Sequence, residues 1–274
     1  MDILRLALLS LAAAIAVLFG ANFLFKADHA PQKPVPTIIA DAQSGTISEA
    51  ALQAARAQIE NRIASASPDY MRFFDRLKIL LPQDYDTILD GFARQSLEGA
   101  DMTNVDSLLS EAVRTLRLSE GTYAAKADGP SLTRIFTLQA AMMKALAAKD
   151  PKLCVDFLYG GASQAFFEFS AQNRALVAAM AVAGLEAIND GHTKQIDRTP
   201  PTDDDFKQLE SALKAKQVTD REVSAILDGK LPTPPIASDR MCSVGRIYLD
   251  TLAELPEDVR LRIYGLAIEL MARS

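Results

Sequence analysis

Apolar residues recur at every third or fourth position along most of the chain from Thr46 onward. This spacing places them on one face of a helix and predicts a series of amphipathic α-helices. Predicted helices start at or just after Ser48, Ser67, Pro82, Thr103 or Asn104, Leu132, Asp150, Ser163, Thr202, Thr219, Asp239 and Pro256. No sustained strand alternation bounded by turn residues interrupts the pattern. We therefore expect an all-α fold, with one multi-helix globular domain over residues 47–274.

The middle of the chain carries several helix-boundary residues. Asp150-Pro151 predicts the start of a short helix to Tyr159, because proline suits the first helical position. Ser163 predicts the N-cap of a long helix that runs to Asn189. Gly191 follows that helix and is expected to end it, since glycine is the usual residue just past a helix C-terminus.

Residues 175–185 of that long helix are apolar on all sides. A helix without a polar face is normally buried, either in the core of a domain or in a membrane. The uncharged stretch lies between Arg174 and Glu186 and is shorter than the roughly 20 residues that cross a bilayer. This segment is therefore predicted to be the central helix of the domain.

The N-terminus carries a longer uncharged run, from Leu6 to Phe25. Its length matches the roughly 20 apolar residues that span the hydrocarbon of a bilayer. A cleaved signal peptide has a shorter apolar core, of about 7–15 residues, followed by a small-residue cleavage site. Here bulky Leu18 and Phe19 precede the small Gly20 and Ala21. The favoured interpretation is an uncleaved transmembrane signal anchor over residues 6–25. The alternatives are a cleaved signal peptide and, less favoured, a buried helix of a soluble protein.

The anchor is preceded by a short tail, residues 1–5, and followed by a linker, residues 26–46. The prolines of Pro31–Pro36 predict an extended spacer between the membrane and the body. Basic residues flank the anchor almost equally, with Arg5 before it and Lys26 and Lys33 after it, so charge barely sets the orientation. We expect a bacterial inner-membrane protein with its body in the periplasm, or a soluble periplasmic or secreted body if the signal is cleaved.

The chain is acidic, with 29 Lys and Arg against 35 Asp and Glu and a formal net charge of −6. Nucleic acids are bound mainly through Lys and Arg, so a nucleic-acid partner is not expected. Only two histidines occur, His29 in the linker and His192 in a predicted loop, and neither is spaced with a cysteine as metal ligands are. No metal and no cofactor is therefore predicted.

The chain has two cysteines, Cys154 and Cys242, each just after a predicted loop. An even cysteine count in an exported chain favours a disulfide. The alternative is two unrelated buried thiols, which are common in protein cores.

One short motif suggests catalysis. Ser211-Ala212-Leu213-Lys214 matches S-x-x-K, the nucleophile motif of penicillin-binding proteins and serine β-lactamases. One helical turn places Lys214 beside Ser211, where the amine would accept the hydroxyl proton. The partner motifs K-T-G and S-D-N are missing from the sequence, so the match is interpreted as chance.

Two acidic features offer weaker hypotheses. Glu168 lies among phenylalanines, an environment that raises a carboxyl pKa in a general acid. It shares a polar stripe with Gln164 and Gln172, however, and this spacing predicts a surface position. Asp203-Asp204-Asp205 suggests a divalent cation, but the triplet follows Thr202 at a helix start, where carboxylates favour the positive end of the helix dipole.

None of these motifs is accompanied by the partner residues that catalysis would need, so no catalytic, cofactor-binding or metal-binding residue is predicted. The sequence favours a non-enzymatic binding or accessory protein that faces the envelope and contacts a protein partner. The alternatives are a helical cell-wall hydrolase, for which Glu168 is the best carboxylate, and an immunity-type inhibitor of a secreted toxin.

Overall fold

The structure is a computed structural model that describes residues 47–160, 163–230 and 232–273. These residues form twelve α-helices and contain no strand, which confirms the all-α prediction for this part of the chain. The helices are α1 (Glu49–Ala64), α2 (Pro68–Leu80), α3 (Pro82–Leu97), α4 (Val105–Ala124), α5 (Gly129–Lys149), α6 (Pro151–Leu158), α7 (Gln164–Gln172), α8 (Arg174–Lys194), α9 (Asp203–Ala215), α10 (Asp220–Leu227), α11 (Ser238–Glu254) and α12 (Glu257–Arg273).

None of these helices combines the length and the apolar character that crossing a membrane requires. The predicted anchor, Leu6–Phe25, and the linker, residues 26–46, lie outside the described residues. The anchor and the spacer therefore stay predictions.

Helix α8 lies at the centre of the domain and packs against α2, α4, α5 and α7. Its residues from Met180 to Leu185 are all buried, as expected for a segment that is apolar on every side. Helix α5 is the second central element, because it packs against α6, α11 and α12 as well as α8. Helices α1 and α3 pair at one side, and α9 and α10 pack on α11 at the other. The result is a single globular helical domain.

Local signals in the sequence account for most helix starts. The Ser48 side chain accepts a hydrogen bond from the backbone N–H of Ala51, and the Asn104 side chain caps α4 in the same way. Helices α2, α3 and α6 each begin with proline, which has no N–H to leave unpaired at this position. Helix α5 starts three residues earlier than the predicted start at Leu132, because the side chain of Asp128 caps it.

The predicted helix from Ser163 to Asn189 is wrong, because two helices, α7 and α8, occupy this part of the chain. The break is at Asn173, which has non-helical backbone angles (φ −122°, ψ 36°). Its side-chain amide donates a 2.8 Å hydrogen bond to the carbonyl oxygen of Phe169. Asparagine favours such breaks because its side chain competes with the backbone for hydrogen bonds.

The predicted role of Gly191 is also wrong. Helix α8 continues past it to Lys194 and ends where Gln195 adopts a left-handed conformation, with φ 50°. Gly191 is buried against the end of α4, and a Cβ atom at this position would lie 1.8 Å from the carbonyl oxygen of Tyr123. Glycine is therefore required by the close approach of two helices rather than by a helix end.

Candidate functional site

The ends of α4 and α8 bring Glu120, Tyr123 and His192 together. Asp84, in the first turn of α3, is under the electrostatic influence of Glu120 and His192, and we call these four residues the His192 site. The Nε2 atom of His192 lies 2.8 Å from Oε2 of Glu120. The imidazole stacks on the Tyr123 ring with 3.8 Å between the ring centroids and 24° between the planes. All four residues are half-buried, so the site is within reach of solvent.

The close contact at Gly191 positions this site. Glu120 and Tyr123 are three residues apart in α4, so they lie on the same face of that helix. Because Gly191 has no Cβ atom, the end of α8 approaches α4 closely enough for the next residue, His192, to reach both side chains. The placement of His192 in a loop was wrong, for the same reason that Gly191 is not a helix end: α8 extends through both residues.

Asp84 lies in the first turn of α3, where its environment disfavours a negative charge. Burial raises the pKa of the Asp84 carboxyl above its ordinary value, and the negative charge of Glu120 raises it further. A hydrogen bond from its own backbone N–H and the nearby imidazole of His192 lower the pKa and offset part of this shift. Within the described residues no lysine or arginine forms an ion pair with Asp84.

The cations near this end of the domain contact other groups. Lys194 bridges Asp128 and Asp190, with Nζ–O distances of 2.5 and 2.7 Å. Arg198 donates hydrogen bonds to the backbone carbonyls of Ala125 and Ala127, just past the end of α4. These contacts join the end of α8 and the loop after it to the loop between α4 and α5. Among the described residues, the imidazole of His192 is the hydrogen-bond partner of the Glu120 side chain.

The chemistry of the His192 site is suited to binding. Two carboxylates accept hydrogen bonds, and the Tyr123 and His192 rings offer aromatic surface beside them. Nucleophilic catalysis by a triad requires a hydroxyl or thiol on the imidazole. Among the described residues no serine, threonine or cysteine side chain hydrogen-bonds to the His192 ring.

The S-x-x-K pair does not form a catalytic arrangement. Ser211 is exposed on α9. The Nζ atom of Lys214 lies 2.6 Å from Glu210 and 2.7 Å from Asp220. Both carboxylates raise the pKa of the Lys214 amine, the shift opposite to the one a general base requires.

Glu168 is exposed on α7, while Phe166 and Phe169 are buried, which confirms its predicted surface position. It therefore lacks the apolar surroundings that a general acid of this kind needs.

The aspartate triplet of α9 does not converge on one point. Asp203 and Asp204 are exposed, whereas Asp205 is buried and forms two hydrogen bonds with Arg262, at 2.9 and 2.6 Å. Asp205 also caps the helix with Thr202. In the described part of the chain, no group of three or more His, Cys, Asp or Glu side chains is arranged to hold a metal ion.

The two cysteines lie at disulfide distance, as predicted. The sulfur atoms of Cys154 and Cys242 are 2.01 Å apart and the Cα atoms 5.6 Å apart. Both residues are buried, and the bond joins α6 to α11 across 88 positions of sequence. It is a structural cross-link in the core, on helices other than those that form the His192 site.

A small cavity of about 40 Å³ lies between α4, α5, α8 and α12. The lining residues are Arg117, Gly121, Ala124, Ile135, Gly184, Ile188, Ile268, Met271 and Ala272. The walls are mainly apolar and include none of the four residues of the His192 site. A space of this size holds no more than a very small apolar molecule.

The chain matches no protein-family model, no curated protein and no solved structure. The functional argument therefore comes from the residues of this chain. Sequence reasoning missed the His192 site because its main contact joins residues 72 positions apart. The one local signal was the Glu120–Tyr123 spacing, which places a carboxylate and a ring on the same helix face but does not identify what they meet.

Proposed function

We propose that this chain is a membrane-anchored, envelope-facing binding or accessory protein that contacts a protein partner through the His192 site. The observation that carries the proposal is the contact of His192 with Glu120 and Tyr123 at a half-exposed end of the domain. Asp84 beside it has an environment that opposes its charge. Ionisable groups in unfavourable environments occur preferentially at functional sites.

The cysteine pair supports the proposed location. Disulfides persist in oxidising compartments such as the bacterial periplasm and are rare in the cytosol. A buried bond between Cys154 and Cys242 therefore suits an exported body. We propose that Leu6–Phe25 is an uncleaved anchor in the inner membrane and that residues 26–46 hold the body above it. A cleaved signal peptide would give a soluble body with the same site.

The binding role is preferred to a cell-wall hydrolase because the hydrolase depended on Glu168. That side chain is exposed, whereas Phe166 and Phe169 are buried, so the phenylalanines do not enclose it. An immunity-type inhibitor of a secreted toxin is one form of the binding role, because such an inhibitor also acts by contacting a protein.

Crosslinking in the native membrane tests this proposal. The full chain and a chain lacking residues 1–26 are crosslinked in cells, and the products are identified by mass spectrometry. We expect one discrete partner to be trapped by the anchored chain and to be reduced or lost with the truncated chain. The same samples on a non-reducing gel should show the Cys154–Cys242 bond.

Two results would refute the proposal. One is a cysteine pair that stays reduced in cells, because the body would then face the cytosol. The other is turnover of cell-wall or peptide substrates by the purified protein, since that activity would make the chain an enzyme. Inactivation of such turnover by Glu168→Gln would revive the hydrolase hypothesis specifically.

A further inference from the structure

A second surface of the domain carries positive charge and is built around Glu186 of α8. Helices α2 and α5 both pack on α8, and each contributes an arginine to this carboxylate. Nη2 of Arg76, from α2, lies 2.9 Å from Oε1 of Glu186, and Nη1 of Arg134, from α5, lies 3.0 Å from Oε2. The shared carboxylate therefore holds two guanidinium groups side by side. Both are open to solvent, with exposed fractions of 41% for Arg76 and 56% for Arg134.

The ratio of charges at Glu186 is the reverse of the ratio elsewhere in this acidic domain. Arg56 pairs with three carboxylates, and Lys194 pairs with two. Among the described residues, Glu186 is the only carboxylate that pairs with two cationic side chains. Neither Arg76 nor Arg134 forms an ion pair with a second carboxylate of the described chain. One positive charge is therefore left without a local counter-charge.

The two guanidinium groups also keep hydrogen-bonding capacity for a further acceptor. Each guanidinium has five N–H donors, and each uses one nitrogen in its contact with Glu186. A carboxylate that lies against both groups would accept charge-assisted hydrogen bonds from each and offset the excess charge. The arrangement therefore suits an anionic ligand.

Helix α2 adds a third cation and an apolar contact. Arg72 lies four residues before Arg76 and Ile79 three residues after it, so these side chains share one face of the helix. Arg72 is exposed, and its ion pair with Asp69 is long, at 4.0 Å. Ile79 is the most exposed large apolar side chain of the described residues, at 70%. We call the set of Arg72, Arg76, Ile79 and Arg134 the Arg76 surface.

This combination fits an acidic segment of a protein better than the surface of a membrane. Basic patches that bind anionic lipids contain about four to eight Lys and Arg residues. The Arg76 surface has three, and the carboxylates of Glu186 and Asp69 lie among them. Arginine is moreover the cation that pairs best with a carboxylate in one plane and is enriched at protein interfaces.

We infer that the Arg76 surface docks an acidic segment of a partner protein, with a carboxylate of the partner against Arg76 and Arg134 and an apolar side chain against Ile79. This surface goes beyond the proposed function, because it is separate from the His192 site. Glu186 and His192 are six residues apart in α8, about one and two-thirds turns, so their side chains point to different sides of the helix.

The test uses the full chain in micelles of a neutral detergent and three synthetic peptides of one length. The first has two adjacent glutamates followed by leucine at its centre, the second has glutamine in place of both glutamates, and the third has serine in place of the leucine. Backbone amide NMR shifts give both the dissociation constant and the residues affected. We expect saturable shifts around Arg76, Arg134 and Glu186, strongest with the first peptide, weaker with the third and absent with the second.

Matched variants separate specific docking from general attraction between charges. Arg76→Gln with Arg134→Gln should weaken binding of the first peptide by about tenfold or more, because charge-assisted hydrogen bonds from two guanidinium groups are lost. Arg221→Gln with Arg246→Gln removes the same charge from exposed positions of α10 and α11 and should weaken binding less than about twofold. Ile79→Ser should weaken it about two- to fivefold, because part of an apolar contact is lost.

The double variant at the Arg76 surface leaves Glu186 without its arginines, so a melting curve checks that this variant folds. Arg76→Gln alone keeps Arg134 on Glu186 and provides an independent test at an exposed position. It should weaken binding of the first peptide by about threefold or more, because one of the two guanidinium groups remains.

Equal weakening by both double variants would overturn the inference, because bulk charge alone would then explain binding. Equal binding of the glutamine peptide would overturn it as well, and so would the absence of saturable shifts with the first peptide. Shifts of the same residues caused by an anionic lipid added to the micelles, with none from any peptide, would assign the surface to the membrane instead. These outcomes are distinguishable from failure of the proposed function. A partner trapped in the native membrane without glutamate-peptide binding would leave the binding role intact and refute only the Arg76 surface.

Discussion

Gly191 and Tyr123 meet so closely that the two helices carrying them leave no room for a side chain. A Cβ atom at position 191 would lie 1.8 Å from the carbonyl oxygen of Tyr123 and 2.7 Å from its carbonyl carbon. Both atoms belong to the backbone, so a small side-chain adjustment does not relieve the contact. The same approach brings His192 onto the Tyr123 ring, and the site therefore depends on this glycine.

We predict that Gly191→Ala lowers the free energy of unfolding by about 3 kcal/mol or more, because the helices must separate. Alanine ordinarily stabilises a helix interior relative to glycine by about 0.5–1 kcal/mol. Gly91→Ala in α3 is the matched control, since no atom lies within 4 Å of its added Cβ, and it should stabilise the protein by that amount. Urea unfolding of both variants measures the difference. Similar effects of the two substitutions on the free energy of unfolding would contradict the close contact between Gly191 and Tyr123.

The unfavourable environment of Asp84 predicts a stabilising substitution. Its pKa is raised in the folded protein, so ionisation costs stability at neutral pH, and this cost disappears as the pH falls through the folded-state pKa. Asp84→Asn should therefore increase the melting temperature at pH 7 and have little effect below the ordinary carboxyl pKa of about 4. Asp203→Asn, at an exposed site in the first turn of α9, should not stabilise at either pH. A destabilising Asp84→Asn at pH 7 would contradict the electrostatic account of the site.

The link between Cys154 and Cys242 should contribute strongly to stability. It closes a long loop, with a sequence separation of 88, and the chain-entropy model gives about 4–5 kcal/mol for loops of this size. Cys154→Ala with Cys242→Ala should lower the free energy of unfolding by up to that amount, and adding reductant should affect the wild type but not the double variant. A reductant effect on both proteins would mean that the loss has another origin.

Two carboxylates that accept hydrogen bonds from arginine predict how the stability of the domain changes at low pH. Hydrogen bonds from Arg262 lower the pKa of Asp205 to about 2, and those from Arg240 lower the pKa of Glu222 to about 2. Because each pKa is lowered on folding, each group stabilises the protein above pH 4, and that contribution is lost as the pH falls toward 2.

The corresponding substitutions, Asp205→Asn and Glu222→Gln, should each destabilise the protein at pH 7 by about 1.5–3 kcal/mol, the usual contribution of hydrogen bonds to a charged group, because the arginine left behind is partly solvated. Their difference from the wild type should shrink below pH 4. Asp204→Asn removes an exposed pair with Lys207 and should change stability by no more than about 0.5 kcal/mol. The free energy of unfolding, measured across this pH range, tests whether the difference from the wild type shrinks on acidification. A difference that stays constant with pH for both variants would contradict the prediction.

The sequence allowed the helices to be predicted because their signals are local. Capping residues such as Ser48 and Thr219, and prolines such as Pro82, act within one turn of the helix that they start. The cysteine pairing was also predictable, since two cysteines allow only one intramolecular bond. The sequence signal for the break at Asn173 is local but weak, because asparagine within a helical pattern often stays helical.

The candidate site was not predictable from the sequence, since it depends on how distant helices pack. Gly191 has the residue type of a helix end, and only the approach of Tyr123 reveals its actual role. Because Gly191 was predicted to end the helix, the next residue, His192, was predicted to lie in a loop. In the sequence, Asp84 has the position of an ordinary helix-start carboxylate; its unfavourable environment arises from burial and then from the charge of Glu120 in another helix.

Position-resolved photocrosslinking in the native membrane tests the central claim most directly. A photoreactive amino acid replaces exposed Gln83 or Thr122, next to the His192 site, or exposed Ser211 on α9 as the control. If a partner docks at this site, Gln83 and Thr122 should give the same discrete crosslinked protein and Ser211 should not. Equal crosslinking from all three positions, or a discrete product from Ser211 alone, would contradict the account.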